Sequence, residues 1–255
     1  MHEDDASAFV TRSEDEAQTW RRWKRLACLS TMPCQRDRNL LDSVHGCSSY
    51  DRPCESPANT LQPSRCWLSI QKLIDRSTSF DALGDPANAA AALLCLAESA
   101  QIECSCNSSS CCFWSSMPST TKLTDDFIEY ATVADCLISR VQIVPYRAFR
   151  LPDSPAFAPQ FVSFHFFRQD QHELTPIFAS PVYAIENDMR LYEFELPHKV
   201  LLGSNGLLRV NLHGRCQMET SHFPPWLHDD GAHTANEPQY YVCLSYVKAV
   251  GVAVV

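Results

Sequence analysis

From residue 113 to 251 the apolar residues recur mostly at every second position, the period of a half-buried β-strand. Leu208, Val210 and Leu212 alternate with Arg209, Asn211 and His213. Tyr192, Phe194 and Leu196 point one way, Glu193 and Glu195 the other. Within 137–144, Leu137, Val141 and Ile143 share a face opposite Arg140 and Gln142, and 127–131 predicts a further short strand. Two segments, 161–167 and 240–247, are apolar on both faces, as a strand covered on both sides must be. Short strands with Pro- and Gly-marked turns and no interleaved helices predict an antiparallel β-sandwich or jelly roll, not a parallel α/β sheet.

The N-terminal part is different. Residues 1–20 are polar and acidic and are expected to fray. A short basic, aromatic helix follows over 20–29, with Trp20, Trp23 and Ala27 on one face, which is expected to pack the tryptophans on the domain. A second short helix is predicted over 37–44, and a structured loop over 48–53. Residues 70–74 are briefly amphipathic. Asp85 and Pro86 suit the cap and first position of a helix running to Leu96, and the Ser/Cys-rich run 104–112 predicts loop. The division that results is an acidic tail with a short helix (1–36), a β-sandwich (37–63 and 112–251) and an irregular insertion (64–111).

Charge and cysteine content narrow the function classes. A formal net charge of −9 and a pI of about 5.4 argue against nucleic acid as a partner, which calls for a basic stripe. Mean hydropathy is −0.21 and no apolar run approaches membrane-spanning length, so no membrane partner is expected. The acidic start has neither the basic region nor the apolar run of a signal peptide, so the expected location is intracellular, cytoplasm or nucleus. Thirteen cysteines are then expected to be mostly free thiols, with Cys136 and Cys243 acting as small core hydrophobes.

The residues with metal or catalytic chemistry form no recognised pattern. Cys104, Cys106, Cys111 and Cys112 depart from paired-knuckle zinc spacing, so no metal and no cofactor are expected. His222, His228, Asp229, Asp230 and His233 fall in a Pro/Asp/Gly-rich stretch and predict a solvated loop, with Trp226 as a possible anchor for a partner. No G-x-S-x-G, P-loop, G-x-G-x-x-G or H-E-x-x-H occurs, and Asp125-Asp126 has the look of a turn or cap. His165 and Trp114 are expected to be structural.

Four pieces of sequence carry a family resemblance. They are 48–63 (SSYDRP followed by ESPANTLQP), Phe113-Trp114-Ser115-Ser116, 141–149 (VQIVPYRAF), and the closing pair 206–217 (GLLRVNLHGRCQ) and 240–251 (YYVCLSYVKAVG). In this order the chain resembles the C-terminal domain of a plant family of F-box proteins, a galactose-binding-like (discoidin-type) β-sandwich. In that family the first two pieces lie close together, whereas here 64–112 separates them. The helical F-box module itself is not recognisable upstream. The resemblance implies a non-enzymatic protein-binding module, the substrate-recognition part of an SCF-type ubiquitin ligase. Its recruited protein is unknown, and a Skp-type adaptor would be a partner only if an F-box exists in the full-length product. The alternative is a stand-alone carbohydrate-binding jelly roll. Binding residues are expected on rim loops 48–53, 151–159 and 222–238, with Tyr50, Asp51, Arg52, Trp226 and His228 as candidates.

Overall fold

In the computed structural model, residues 4–77, 111–133, 135–149, 151, 155–170, 173–219 and 239–253 are described. Helix α1 (Asp4–Thr31) precedes β1 (Leu41–Cys47), a 3-10 helix (Pro57–Leu61) and α2 (Arg65–Ser77). Next come β2 (Trp114–Ser115), β3 (Asp126–Thr132), β4 (Cys136–Pro145), β5 (Pro159–Asp170), β6 (Glu173–Ala179) and β7 (Tyr183–Ala184). The chain continues through β8 (Tyr192–Leu202), β9 (Gly206–Arg215), β10 (Gln217–Glu219), β11 (Gln239–Tyr241) and β12 (Cys243–Ala253).

These strands form the expected antiparallel sandwich. One sheet has the order β1-β3-β9-β5-β6, with β7 also on β5; the other has the order β2-β12-β4-β8. A separate ribbon pairs β10 with β11. The core lies between the two sheets. Ile128, Tyr130, Val162, Phe164, Phe166, Leu208, Val210 and Leu212 face Trp114, Ile138, Val141, Ile143, Phe194, Leu202, Leu244 and Val247. Each fully buried aliphatic or aromatic side chain of this kind contributes about 1.5–3 kcal/mol.

Strand β12 is buried along its whole length, and the helices explain why. Leu29 of α1 packs on Leu137 and Val252, and Cys66 and Trp67 of α2 pack with Val144, Cys243 and Tyr246. The outer face of the β2-β12-β4-β8 sheet is therefore covered over β12 and the two ends of β4, with Glu193 and Glu195 of β8 left exposed, whereas that of the other sheet lies open. Lys248 lies within the buried strand and donates its ammonium to the Arg36 carbonyl.

Glycine permits the closest backbone approach. A Cβ on Gly251 would lie 2.0 Å from the Leu137 carbonyl oxygen, at a register shift between β12 and β4. One on Gly206 would meet Leu202 Cβ at 2.6 Å.

Four local expectations are corrected. First, the acidic N-terminal segment is helical from Asp4, so α1 is 28 residues long and not a short helix behind a frayed tail. Second, its tryptophans do not pack on the domain: Trp20 is 63% and Trp23 61% exposed. At about 100° per residue, Leu29 lies opposite Trp20, with Leu26 between Leu29 and Trp23, and it is the leucines that dock. Third, 37–44 is no helix, because 41–47 is the edge strand β1. The Asn39 side chain is used up there: its Oδ1 accepts from the Leu41 and Ala249 amides (both 3.1 Å) and its Nδ2 donates to Val247 (3.0 Å) and Leu61 (3.2 Å). Fourth, a register shift between Ile138 and Arg140 changes the phase of β4. Ile138 faces the core with Val141 and Ile143, while Leu137 turns outward to α1.

The segment after Ser64 begins in contact with the sandwich. The Ser64 and Ser245 hydroxyls share a buried 2.8 Å hydrogen bond, and Cys66 and Trp67 are buried. The predicted helix at 85–96 and Cys104 and Cys106 lie outside the described residues. Among the described residues no helix is long and apolar enough to cross a membrane.

Candidate functional site

Antiparallel pairing brings the exits of β1, β2, β4 and β9 and the entries of β3, β5, β8 and β12 to one end of the sandwich. At the base of this rim sits a buried ion pair. Arg215 closes β9 and Asp126 opens β3, their side chains 2% and 3% exposed, and Arg215 Nη2 donates to Asp126 Oδ2 over 2.8 Å. Arg215 Nη1 also donates to the carbonyls of Met117 (2.8 Å) and Tyr240. The other carboxylate oxygen of Asp126 accepts from Ser48 Oγ (2.9 Å) and Ser49 Oγ (3.4 Å). One charge pair thus ties the segment leaving β1, the segment leaving β2 and strand β11 to the sandwich. Asp125-Asp126 is therefore more than a turn, since Asp125 accepts from His213 Nδ1 (3.0 Å) and the Gly214 amide (3.2 Å).

The first rim loop stands directly on this base. Trp114, fully buried, donates its indole N–H to the Ser49 carbonyl over 3.0 Å, and the Asp51 amide donates to Ser115 over 3.1 Å. Tyr50 is half exposed beyond them. Arg52 approaches Asp51 at 3.6 Å; burial pushes the Asp51 carboxyl above its usual range, an effect the Arg52 charge partly offsets. Tyr50, Asp51 and Arg52 are consecutive on one loop at the rim. Residues 151 and 155–159 lie at the same end, where the Ala148 amide donates to Pro155 and the Phe157 amide to Tyr146. Trp226 and His228 lie outside the described residues. The strands that flank them in sequence, β10 and β11, pair with each other at this rim.

The open outer face of the β1-β3-β9-β5-β6 sheet carries a second constellation. Phe161, 44% exposed, lies opposite His213; Ser163 opposite Asn211; His165 opposite Arg209. Arg209 is held between the rings of Phe127 (4.7 Å) and Phe167 (5.1 Å) and pairs with Glu129 at 2.5 Å. Burial, and then the charges of Arg209 and His213, lower the pKa of His165. Asp125, His213 and Ser163 form a chain with both links at 3.0 Å, the residue order of a hydrolase triad. Ser163, however, is 3% exposed and also meets Asn211 Nδ2 at 3.3 Å, so the chain braces neighbouring strands and offers no nucleophile to a substrate.

For a metal, the ligand atoms of Cys54, Glu55 and Cys111 lie within 4.8 Å of one another. The Cys54 and Cys111 sulfurs are 3.1 Å apart, and Cys66 and Cys112 are a second pair at 3.8 Å. Three ligands are one short of the closed set typical of structural zinc.

The architecture is thus an antiparallel β-sandwich that presents loops from one rigid rim. No protein-family model matches the sequence. The chain is similar to an F-box protein of Arabidopsis thaliana, with 26% identity over 161 residues, a match that takes in 54% of this chain. The chain spans only 38% of that relative's length. Similar solved structures include chitosan-binding module 1 of a Paenibacillus chitosanase/glucanase (10% identity, TM-score 0.41, covering 84% of this chain and 99% of that one). The family 32 carbohydrate-binding module of Streptococcus pneumoniae EndoD is another (8% identity, TM-score 0.41, covering 83% and 98%). The assignment as a sandwich rests on the strand pairing described above.

Proposed function

We propose that the chain is a non-enzymatic protein-binding module, the partner-recognition sandwich of an F-box-type protein. The rim loops 48–53, 151–159 and 222–238 hold the recruited protein, with Tyr50, Asp51, Arg52, Trp226 and His228 as contacts. A longer product carrying an F-box would dock a Skp-type adaptor and so act as substrate adaptor of an intracellular ubiquitin ligase in a plant. The observation that carries this reading is the Asp126–Arg215 pair with its hydrogen bonds to three rim segments. A rigid scaffold under exposed loops is the arrangement in which binding residues gather. The similarity to an F-box protein supports the ligase part.

Two pull-downs test it. The full-length transcript product should capture a Skp-type adaptor, and failure to do so removes the ligase role. Proteins retained by the full chain should be lost on Tyr50→Ala with Arg52→Glu; retention without change would place recognition away from the first rim loop.

A second reading, a stand-alone carbohydrate-binding module, is supported by the open sheet face, where exposed Phe161 adjoins the polar side chains of Asn211 and His213. A glycan array yielding no Phe161-dependent hit would eliminate it.

A further inference from the structure

The end of the sandwich opposite the rim carries a different surface. Here α1 crosses the space between β6 and β8, the outermost strands of their respective sheets. The helix docks through Leu26 and Leu29, while Arg25 pairs with Asp135 in the β3–β4 turn at 2.9 Å. Farther toward its N-terminus the helix does not close on the strands. A cleft of about 560 Å³ remains, lined by Arg21, Arg22 and Arg25 of α1 and by Arg168 of β5. Asp135 is the one carboxylate on its wall among the described residues, and Arg25 engages it.

A second cleft of about 460 Å³ continues from the first, sharing Arg22, Ile177 and Leu201 with it. Trp23, Leu26, Phe178 and Val200 give it an apolar wall, and Lys199 and His198 lie at its border. This concentration of cations belongs to a chain whose net charge is −9, so it is local and not a product of overall composition. A free anion would use only the arginine-lined part. Nucleic acid would use the cations and the rings of Trp23 and Phe178 but would gain little from Leu26, Ile177, Val200 and Leu201. A ligand that pairs carboxylates with apolar side chains would use both parts.

We propose that this groove between α1 and strands β6 and β8 is a docking site for an acidic, leucine-type peptide segment of a partner protein. The carboxylates lie along Arg21 and Arg22, and the apolar side chains sit against Trp23, Ile177 and Phe178. The peptide is extended, because both walls on the sandwich side are outer strands that invite a chain laid along them. Pro176 in β6 removes one backbone donor, so side-chain complementarity supplies most of the specificity. The site lies at the opposite end from the recognition rim and does not depend on the function proposed for it.

The test is fluorescence anisotropy on the full chain with a labelled peptide of alternating glutamate and leucine. The probe should bind saturably, and more weakly as salt is added. Arg22→Glu and Lys199→Glu, both at exposed positions, should each weaken it about fivefold, the scale of one exposed ion pair. An all-glutamate peptide of equal length should bind more weakly than the alternating one. The Arg22→Glu/Lys199→Glu protein should gain affinity for a lysine–leucine peptide, and a circular dichroism melt like the parent's shows that this variant is folded. Tyr50→Ala with Arg52→Glu should leave the binding unchanged, separating this site from the rim. Absence of saturable binding overturns the proposal, as does indifference to both charge reversals. Tighter binding of an oligothymidylate than of the peptide would reassign the groove to nucleic acid and overturn it as well.

Discussion

Replacing Arg215 by methionine tests the central feature of the rim. The side chain is 2% exposed and its partner Asp126 3%, so the substitution leaves a carboxylate in the interior with only the Ser48 and Ser49 hydroxyls to solvate it. Breaking a buried pair from one side costs about 3–5 kcal/mol. The Met117 and Tyr240 carbonyls lose a charged donor as well, at about 1–3 kcal/mol for each group left unsatisfied. These terms overlap, because the chain relaxes around the unpaired groups, so we expect Arg215→Met to cost about 4 kcal/mol, a large part of the roughly 5–15 kcal/mol that holds a domain folded. Asp126→Asn strands the guanidinium instead and should cost a similar amount. The double variant buries no charge and should be more stable than Arg215→Met alone, giving a coupling energy of about 2–3 kcal/mol. Urea melts followed by far-UV circular dichroism measure all three. Because the pair is buried, the losses should change little with salt. A cost of less than about 1 kcal/mol for Arg215→Met, or strict additivity of the two single changes, would refute the claim that the pair is desolvated and braces the loops.

Other perturbations follow from the fold. Gly251→Ala places a methyl against the Leu137 carbonyl at 2.0 Å, backbone against backbone, and should cost about 3 kcal/mol or abolish soluble expression; a melt like that of the parent protein would contradict the close approach. Trp114→Ala empties a fully buried site and orphans the Ser49 carbonyl, with an expected loss of about 3–5 kcal/mol in the same melts. Burial pushes the Cys136 thiol up to about 11 and the Tyr246 phenol up to about 12. Both groups stay neutral in the folded chain while the unfolded chain ionises, so their contribution is whole below the unfolded values of 9.0 and 10.0 and is lost as pH rises toward 11 and 12. Thermal melts from pH 8 upward should show this decline, and Cys136→Ala should flatten its lower part.

How much of this was readable along the chain depends on the range of the interaction concerned. Strands β8 and β9 follow from alternation alone, because each has a simple relation between sequence parity and side, whereas β12 is buried on both faces and its core side changes parity between Leu244 and Val247. Strand β4 breaks that relation at a bulge between Ile138 and Arg140, which parity cannot anticipate. The facing of α1 was also hidden: tryptophans and leucines form two apolar stripes, and only the shape of the sandwich selects the leucines. For 37–44, propensity suggested a helix, but Asn39 and the partner strand β3 impose an edge strand, a tertiary effect overriding a local one. The Asp126–Arg215 pair spans 89 positions and has no local signature.

The sequence pieces that carry the family resemblance share a further property: the side chains that define them are spent on the scaffold. Asn59 donates to the carbonyls of Cys54 (2.7 Å) and Phe113 (2.9 Å), joining the first piece to the second. Thr60 shares a buried 2.7 Å hydrogen bond with Tyr130, and Ser48 reaches Asp126. Trp114 holds Ser49, Gly206 and Gly251 admit close neighbours, and Arg215 ties the rim. A motif made of such residues identifies a fold because losing any one of them leaves a buried group unpaired or a backbone clash. For the same reason it says little about a ligand. Specificity must reside in side chains that the scaffold does not consume, and at the rim Tyr50 and Arg52 fit that description while their neighbours Ser48 and Ser49 do not. Substitutions at the first pair should therefore change what is bound and leave stability nearly intact, and substitutions at the second pair should do the reverse.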